Sequence, residues 1–189
     1  MTNIGIIIGS DRDTRVSTQV ADFIFNRAKE LNLEGVNFEL VDIKDYNIPN
    51  FNEPVAPLML NKQYTSENVK KWADKIDSLD GFIFITPEYN KGITASLKNA
   101  IDNLAPEWNG KAAGIVSYGS TLGVAAALSL RQILTNFNVA HGSASGAFSL
   151  FTDFDSDMNF KPAEVHDPTI NAMIANTVDW AKALKTLRN

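Results

Sequence analysis

The apolar positions of this chain change period in regular alternation, from strand-like to helix-like and back. Ile4 to Ile8 is an apolar, isoleucine-rich run of the kind buried on both faces of a sheet, and Gly9-Ser10 ends it. Val20, Ile24, Ala28 and Leu31 then fall on one helical stripe, with Ala21 and Phe25 beside it. Val36 to Asp42 alternates apolar with polar residues, which predicts a less buried strand near a sheet edge. After a long aperiodic stretch, Val69, Trp72, Ala73 and Ile76 make a second helix face, and Gly81 to Ile85 a second fully apolar strand. Ile93, Leu97, Ala100, Ile101 and Leu104 predict a third helix, closed by Pro106. Ala112 to Val116 is a further buried strand. A helix follows from about Leu122 to Phe137, with Ala127, Leu130, Leu134 and Phe137 on its stripe. Val139 to Leu150, rich in Gly and Ser, holds one last strand, and Ile170, Met173, Ile174, Thr177, Val178 and Ala181 mark the final helix.

Five strands alternating with five helices predict a three-layer α/β/α sandwich around a parallel sheet. At 189 residues and 44% hydrophobic content, the chain is expected to form one domain over residues 1–189. The stretch from Ile43 to Tyr64, with Pro49, Pro54 and Pro57, is a connection long enough to imply a lid or an interface. A formal net charge of -5 and a pI near 5.0 argue against a nucleic-acid partner. The absence of cysteine rules out disulfides and thiolate chemistry. Met1 leads within a few residues into a core strand, without a leader pattern, and no apolar run approaches a membrane span. The chain is therefore expected to be cytoplasmic and free of membrane.

In an open parallel sheet, ligands bind outside the carboxyl ends of the strands. Three loops fall there: Gly9 to Ser17, Thr86 to Gly92, and Ser117 to Gly123. The first sets Ser10, Arg12, Arg15 and Ser17 just before a helix, where free backbone N–H groups, the helix dipole and two guanidinium groups all favour a phosphate. It lacks the Gly-Lys-Ser/Thr ending of a Walker A loop and the Gly-x-Gly-x-x-Gly of a dinucleotide site. A single phosphate at such a switch point suggests a mononucleotide, of which FMN is the most frequent. In the second loop, Pro87 stiffens the chain and stops the strand, while Glu88, Tyr89 and Asn90 supply polar groups and a flat side chain but no nucleophile. The run Gly142-Ser143-Ala144-Ser145-Gly146 lacks the central Ser of a nucleophile elbow. His141 and His166, far apart and without a carboxylate pair, make a poor metal set. Phe151, Phe154, Met158 and Phe160 fit a core flap, an oligomer interface or the mouth of an acceptor site.

Gly9-Ser10-Asp11-Arg12-Asp13-Thr14-Arg15-Val16 resembles the Gly-Ser-x-Arg-x-x-Arg phosphate loop of the NADPH-dependent FMN reductase family. Pro87-Glu88-Tyr89-Asn90, continuing through Leu97-Lys98-Asn99-Ala100-Ile101-Asp102, is similar to that family's flavin loop and the helix after it. The resemblance spans nearly the whole chain. It implies a flavodoxin-like fold with strand order 2-1-3-4-5, and an FMN whose phosphate is held by Ser10, Arg12, Arg15, Val16 and Ser17. Pro87, Glu88, Tyr89 and Asn90 would line the isoalloxazine, and Ser117, Tyr118 and Gly119 would flank its other edge. The implied reaction passes hydride from NADPH or NADH to FMN and on to a small-molecule acceptor: a quinone, an azo compound, a metal oxyanion or free flavin. The cofactor carries that chemistry, so no catalytic side chain is expected. A flavodoxin-like electron carrier, not reduced directly by NAD(P)H, is the alternative. The resemblance also implies a homodimer or homotetramer, for which the Pro-rich connection, the third helix and Trp108 offer apolar surface.

Overall fold

The structure, a computed structural model, describes residues 1–188. Strands β1 (Thr2–Ile8), β2 (Val36–Asp42), β3 (Gly81–Pro87) and β4 (Ala112–Gly119) alternate with helices α1 (Ser17–Glu30), α2 (Glu67–Asp77), α3 (Ala95–Asp102) and α4 (Val124–Thr135). Two short strands, β5 (Ala140–His141) and β6 (Gly146–Ser149), precede α5 (Asp167–Arg188). The sheet runs β2-β1-β3-β4-β5, all neighbours parallel, with β6 also on β4. This is the expected flavodoxin-like order.

Side-chain alternation sorts the strands' two faces into two cores. Ile4, Ile6 and Ile8 of β1 and Ile83 and Ile85 of β3 meet Val20 and Ile24 of α1 and Ile170, Met173 and Ile174 of α5. Ile7, Phe82 and Phe84 face Val69, Trp72 and Ile76 of α2, Leu97 and Ile101 of α3, and Leu130 and Leu134 of α4. β2 lies at the sheet edge, as its alternation foretold, with only Val41 fully buried.

Three expectations need correction. The last strand is split. Val116 pairs with Gly146 while Ala113 pairs with His141, so Gly142–Ser145 face only Gly114 and Ile115. Arg131 of α4 fills the resulting bulge, donating to the carbonyls of Gly142 at 2.6 Å and Ser143 at 3.4 Å and contacting His141 Nδ1 at 2.9 Å. The fourth helix begins at Val124 rather than Leu122, because Leu122 (φ 63°) and Gly123 (φ 68°) are both left-handed and cannot belong to it. Trp108 is not an interface residue. It is 0% exposed, packs edge-on against Phe82 and Trp72 at 5.0 and 6.1 Å, and donates its indole N–H to Ile101 O at 3.2 Å. α3 stops at Asp102, short of Pro106, and the turn after it carries Trp108 inward with Glu107, whose carboxylate accepts from Tyr64 Oη at 2.8 Å.

The long connection is laid along α3. Asn99 accepts from Phe51 N at 2.8 Å and donates to Pro49 O at 2.9 Å, and Asn103 donates to the same carbonyl at 3.2 Å. Leu58 and Met59 are left outside. Among the described residues no helix is long and apolar enough to cross a membrane.

Trp108 packs against Phe82 and Phe84 of β3 and against Trp72 of α2, and so joins the strand to the helix layer. Trp108→Ala is expected to lower the unfolding free energy by about 3–5 kcal/mol, read from guanidinium unfolding with an unchanged m-value.

Candidate functional site

The loops after β1, β3 and β4 meet at the carboxyl edge of the sheet, as the alternating pattern requires. The first carries the strongest signal. α1 starts after Val16, which offers no capping side chain, and its first turn has no acidic residue, so the positive end of the helix is uncompensated. Ser17 is 0% exposed, and its hydroxyl, beside the Tyr118 phenol, has no partner at good hydrogen-bond geometry. Arg15 is fixed through one nitrogen, Nη2, by an ion pair with Asp42 at the end of β2, while its Nε and Nη1 are buried without partners. Each such buried donor costs about 1–3 kcal/mol unless something fills it. Asp42 also accepts from Lys44 N at 3.0 Å, which holds the carboxylate in place. Asp13 is turned outward to Lys44 at 2.5 Å; that hydrogen bond and charge hold its carboxyl below the usual range and keep it from competing for Arg15.

Arg12 joins the first loop to the second. Its Nη1 donates to Tyr89 Oη at 3.1 Å, its Nη2 to Thr14 Oγ1 at 3.0 Å, and the guanidinium lies 5.9 Å from the Tyr89 ring centroid. Tyr89 and Gly92 exchange both backbone hydrogen bonds, at 2.9 and 3.0 Å, around a two-residue turn. Asn90 (φ 50°) and Lys91 (φ 69°) occupy its two left-handed positions.

Glu88 has a structural task that the sequence did not reveal. Its N–H continues the ladder to Tyr118 O at 2.9 Å, and its carboxylate accepts from Ala125 N at 2.9 Å and Ala126 N at 3.3 Å. It thus caps α4 from another loop, because Gly123 at the N-cap has no side chain to do so. Burial alone would raise the Glu88 carboxyl. The N–H groups of Ala126 and Ala125 and the Lys91 ammonium outweigh it, and the group is held below the usual carboxylate value.

In the third loop, Ser117 Oγ donates to Leu122 O at 3.0 Å and so turns into the β4–α4 corner, away from the other loops. Tyr118 is buried, 6.0 Å from Phe154 between ring centroids, and burial pushes its phenol up. Gly119 O accepts from Leu122 N at 3.2 Å and Leu150 N at 3.1 Å.

Between the loops lies a slot of about 140 Å³, walled by Arg12, Val16, Pro87, Tyr89, Tyr118 and Met158 among others. The structure therefore brings together Arg12, Arg15, Val16, Pro87, Glu88, Tyr89, Tyr118 and Gly119. Ser10 and Ser17 lie beneath them, buried, and Asn90 stands exposed at the turn. Larger grooves of about 590 Å³ beside Lys44 and Ser96, and about 690 Å³ beside Leu58 and Phe137, contain no buried donor that lacks a partner among the described residues. Pattern reading missed Asp42 and Gln19, whereas Met158, one of the residues expected in a core flap, an oligomer interface or the mouth of an acceptor site, lines the slot with Leu150. Asp42 was accessible in principle, as an acid closing a neighbouring strand at the same sheet edge. Of the two histidines, His166 Nε2 sits 2.8 Å from Asp153 Oδ1 and His141 contacts Arg131.

This arrangement defines a flavodoxin-like α/β protein that gathers buried polar groups without partners at its strand-end loops. The chain belongs to the NADPH-dependent FMN reductase family, whose sequence model matches residues 2–155. It is 37% identical to an NAD(P)H-dependent FMN reductase of a Nectria species, over 84% of this chain and 82% of that one. It is 28% identical to a quinone reductase of Pseudomonas putida over 95% of both chains. Its fold superposes on FerB, a flavoenzyme NAD(P)H:(acceptor) oxidoreductase from Paracoccus denitrificans, with a TM-score of 0.72 and 21% identity, covering 97% and 98% of the two chains.

Glu88→Ala is expected to cost about 0.5–2 kcal/mol through loss of the α4 cap. Because the folded carboxyl lies below its ordinary value of 4.5, the stability it adds is present above that pH and disappears as pH falls through the folded value. Denaturant titrations of wild type and Glu88→Gln should therefore converge on acidification below about pH 4.5 and stay apart at neutral pH.

Proposed function

We propose that this protein is an NAD(P)H-dependent FMN reductase that holds FMN across the three loops and passes its electrons to a planar small-molecule acceptor. The observation that carries the placement is the set of unfilled donors at α1: Arg15 Nε and Nη1, and Ser17 Oγ, beside an uncapped helix end. These groups fit a phosphate in number, sign and position. Ser10, Arg12, Arg15, Val16 and Ser17 would hold the phosphate. Pro87, Tyr89, Asn90, Tyr118 and Gly119, with the main chain at Glu88 and Ser117, would hold the ring.

FMN, when bound, supplies two-electron chemistry, accepting hydride from a nicotinamide and releasing electrons to the acceptor. The chain's part is orientation. Tyr118 stays protonated at neutral pH because its phenol is pushed upward. Glu88 stays ionised and committed to α4. Neither is poised to exchange a proton, so the wall groups hold the ring and exclude water rather than act as acid or base. Tyr89, Leu122, Phe151 and Met158 are exposed apolar side chains at or beside the mouth, a rim suited to a quinone-like ring rather than to a hydrated oxyanion. We propose that the protein works in the cytoplasm, where NAD(P)H is available.

Anaerobic addition of one equivalent of NADPH, and separately of NADH, to FMN-loaded protein should bleach the flavin's visible band. A flavin that stays oxidised with both donors would favour the electron-carrier alternative. We also propose a homodimer or homotetramer, supported by exposed Leu58 and Met59 on the long connection and Val124 and Leu128 on α4. Light scattering should give two or four times the 20.7 kDa chain mass, and a monomer at all concentrations would refute it.

A further inference from the structure

The segment from Leu150 to Lys161 is the one wall of the slot that does not come from a strand end of the motif loops. Its base is firmly seated. Asp153, 2% exposed, accepts from Ser149 N at 2.7 Å and contacts His166 Nε2 at 2.8 Å. Phe154 and Phe160 bridge each other and pack on Tyr118, Phe148 and Phe23, with centroids 4.8–6.0 Å apart. Beyond this base the chain turns back on itself around Asp155, whose carboxylate accepts from the N–H groups of Asp157 at 3.0 Å and Asn159 at 2.8 Å. The turn's tip is exposed, and its Met158, held at φ 62°, lines the slot from that side.

Among the described residues, the hydrogen bonds that fasten this turn to another element come from one side chain. Gln19 Nε2 donates to Met158 O at 3.2 Å, and Gln19 Oε1 accepts from Phe160 N at 2.8 Å. Gln19 is the third residue of α1, in the same turn as Ser17 with its unfilled hydroxyl. The phosphate cradle and the roof of the slot therefore share one helical turn.

The slot of about 140 Å³ opens to solvent and is smaller than the roughly 300–1,000 Å³ of sites for drug-sized ligands, so FMN would extend past its walls and meet the roof along one edge. The floor belongs to buried β3 and β4, whereas the roof's tip is held by two exposed hydrogen bonds. From this we infer that residues Leu150–Lys161 form a strap that retains FMN, with Met158 as the contact residue and Gln19 as the positioning residue that fastens it. FMN is then a resident cofactor rather than a substrate exchanged at each turnover. This rests on the placement of FMN proposed above.

The test is the FMN dissociation rate, followed by the return of free-flavin fluorescence after rapid dilution of loaded protein. Losing the two Gln19 hydrogen bonds should speed release about tenfold in Gln19→Ala. Gln19→Glu keeps the acceptor for Phe160 N–H and loses the donor to Met158 O, so its rate should fall between the two. Met158→Gly removes the roof side chain and suits the left-handed backbone, so it should release FMN faster without lowering the melting temperature of the flavin-free protein. Equal release rates in wild type and all three variants would overturn the strap while leaving the FMN site intact. A wild-type protein that binds no FMN would overturn both.

Discussion

Everything at the carboxyl edge of this sheet is organised around donors that the chain does not satisfy for itself. Arg15 and Ser17 present buried polar groups without partners, and α1 begins with neither a capping side chain nor an acid in its first turn. Folded proteins rarely leave buried polar groups unmet, and such exceptions require an explanation. On the function proposed above, an anion supplied from outside would meet them, and the surrounding structure keeps its place clear. Asp42 takes one nitrogen of Arg15 and so aims the guanidinium while leaving Nε and Nη1 as donors. Lys44 draws Asp13 outward.

The same economy shapes the ring side of the site. The acid of the Pro-Glu-Tyr-Asn run is spent on capping α4, which spaces the β3 and β4 loops at a fixed separation. Arg12 then spans the gap from the phosphate loop to Tyr89. The result is a slot with ionised and protonated groups that are all engaged in positioning. That is what an enzyme needs when its cofactor brings the reactive bonds and the polypeptide brings geometry.

Much of this was legible in the alternation of apolar and polar residues. β1, β3 and β4 were plain because both their faces are buried, and β2 because only one is. The loops of the site followed, since strand-end position is a consequence of topology. The misreadings have local causes. The Gly- and Ser-rich last strand carries no period, and its split depends on Arg131 reaching across from α4. Trp108 sits in a turn whose inward course is dictated by tertiary contacts with Phe82 and Trp72. The capping task of Glu88 stayed hidden because its partners, Ala125 and Ala126, lie far along the chain. Met158 and Gln19 are 139 residues apart, and no spacing rule connects them.

The central claim is that the cradle at α1 selects for a phosphate. Equilibrium affinities of the flavin-free protein for FMN and for riboflavin, which share the ring and differ in the phosphate, test it most directly. With buried donors worth about 1–3 kcal/mol each, FMN should bind at least about a hundredfold more tightly, and Arg15→Ala should erase most of that preference. Equal affinities for the two flavins in the wild-type protein would contradict the account.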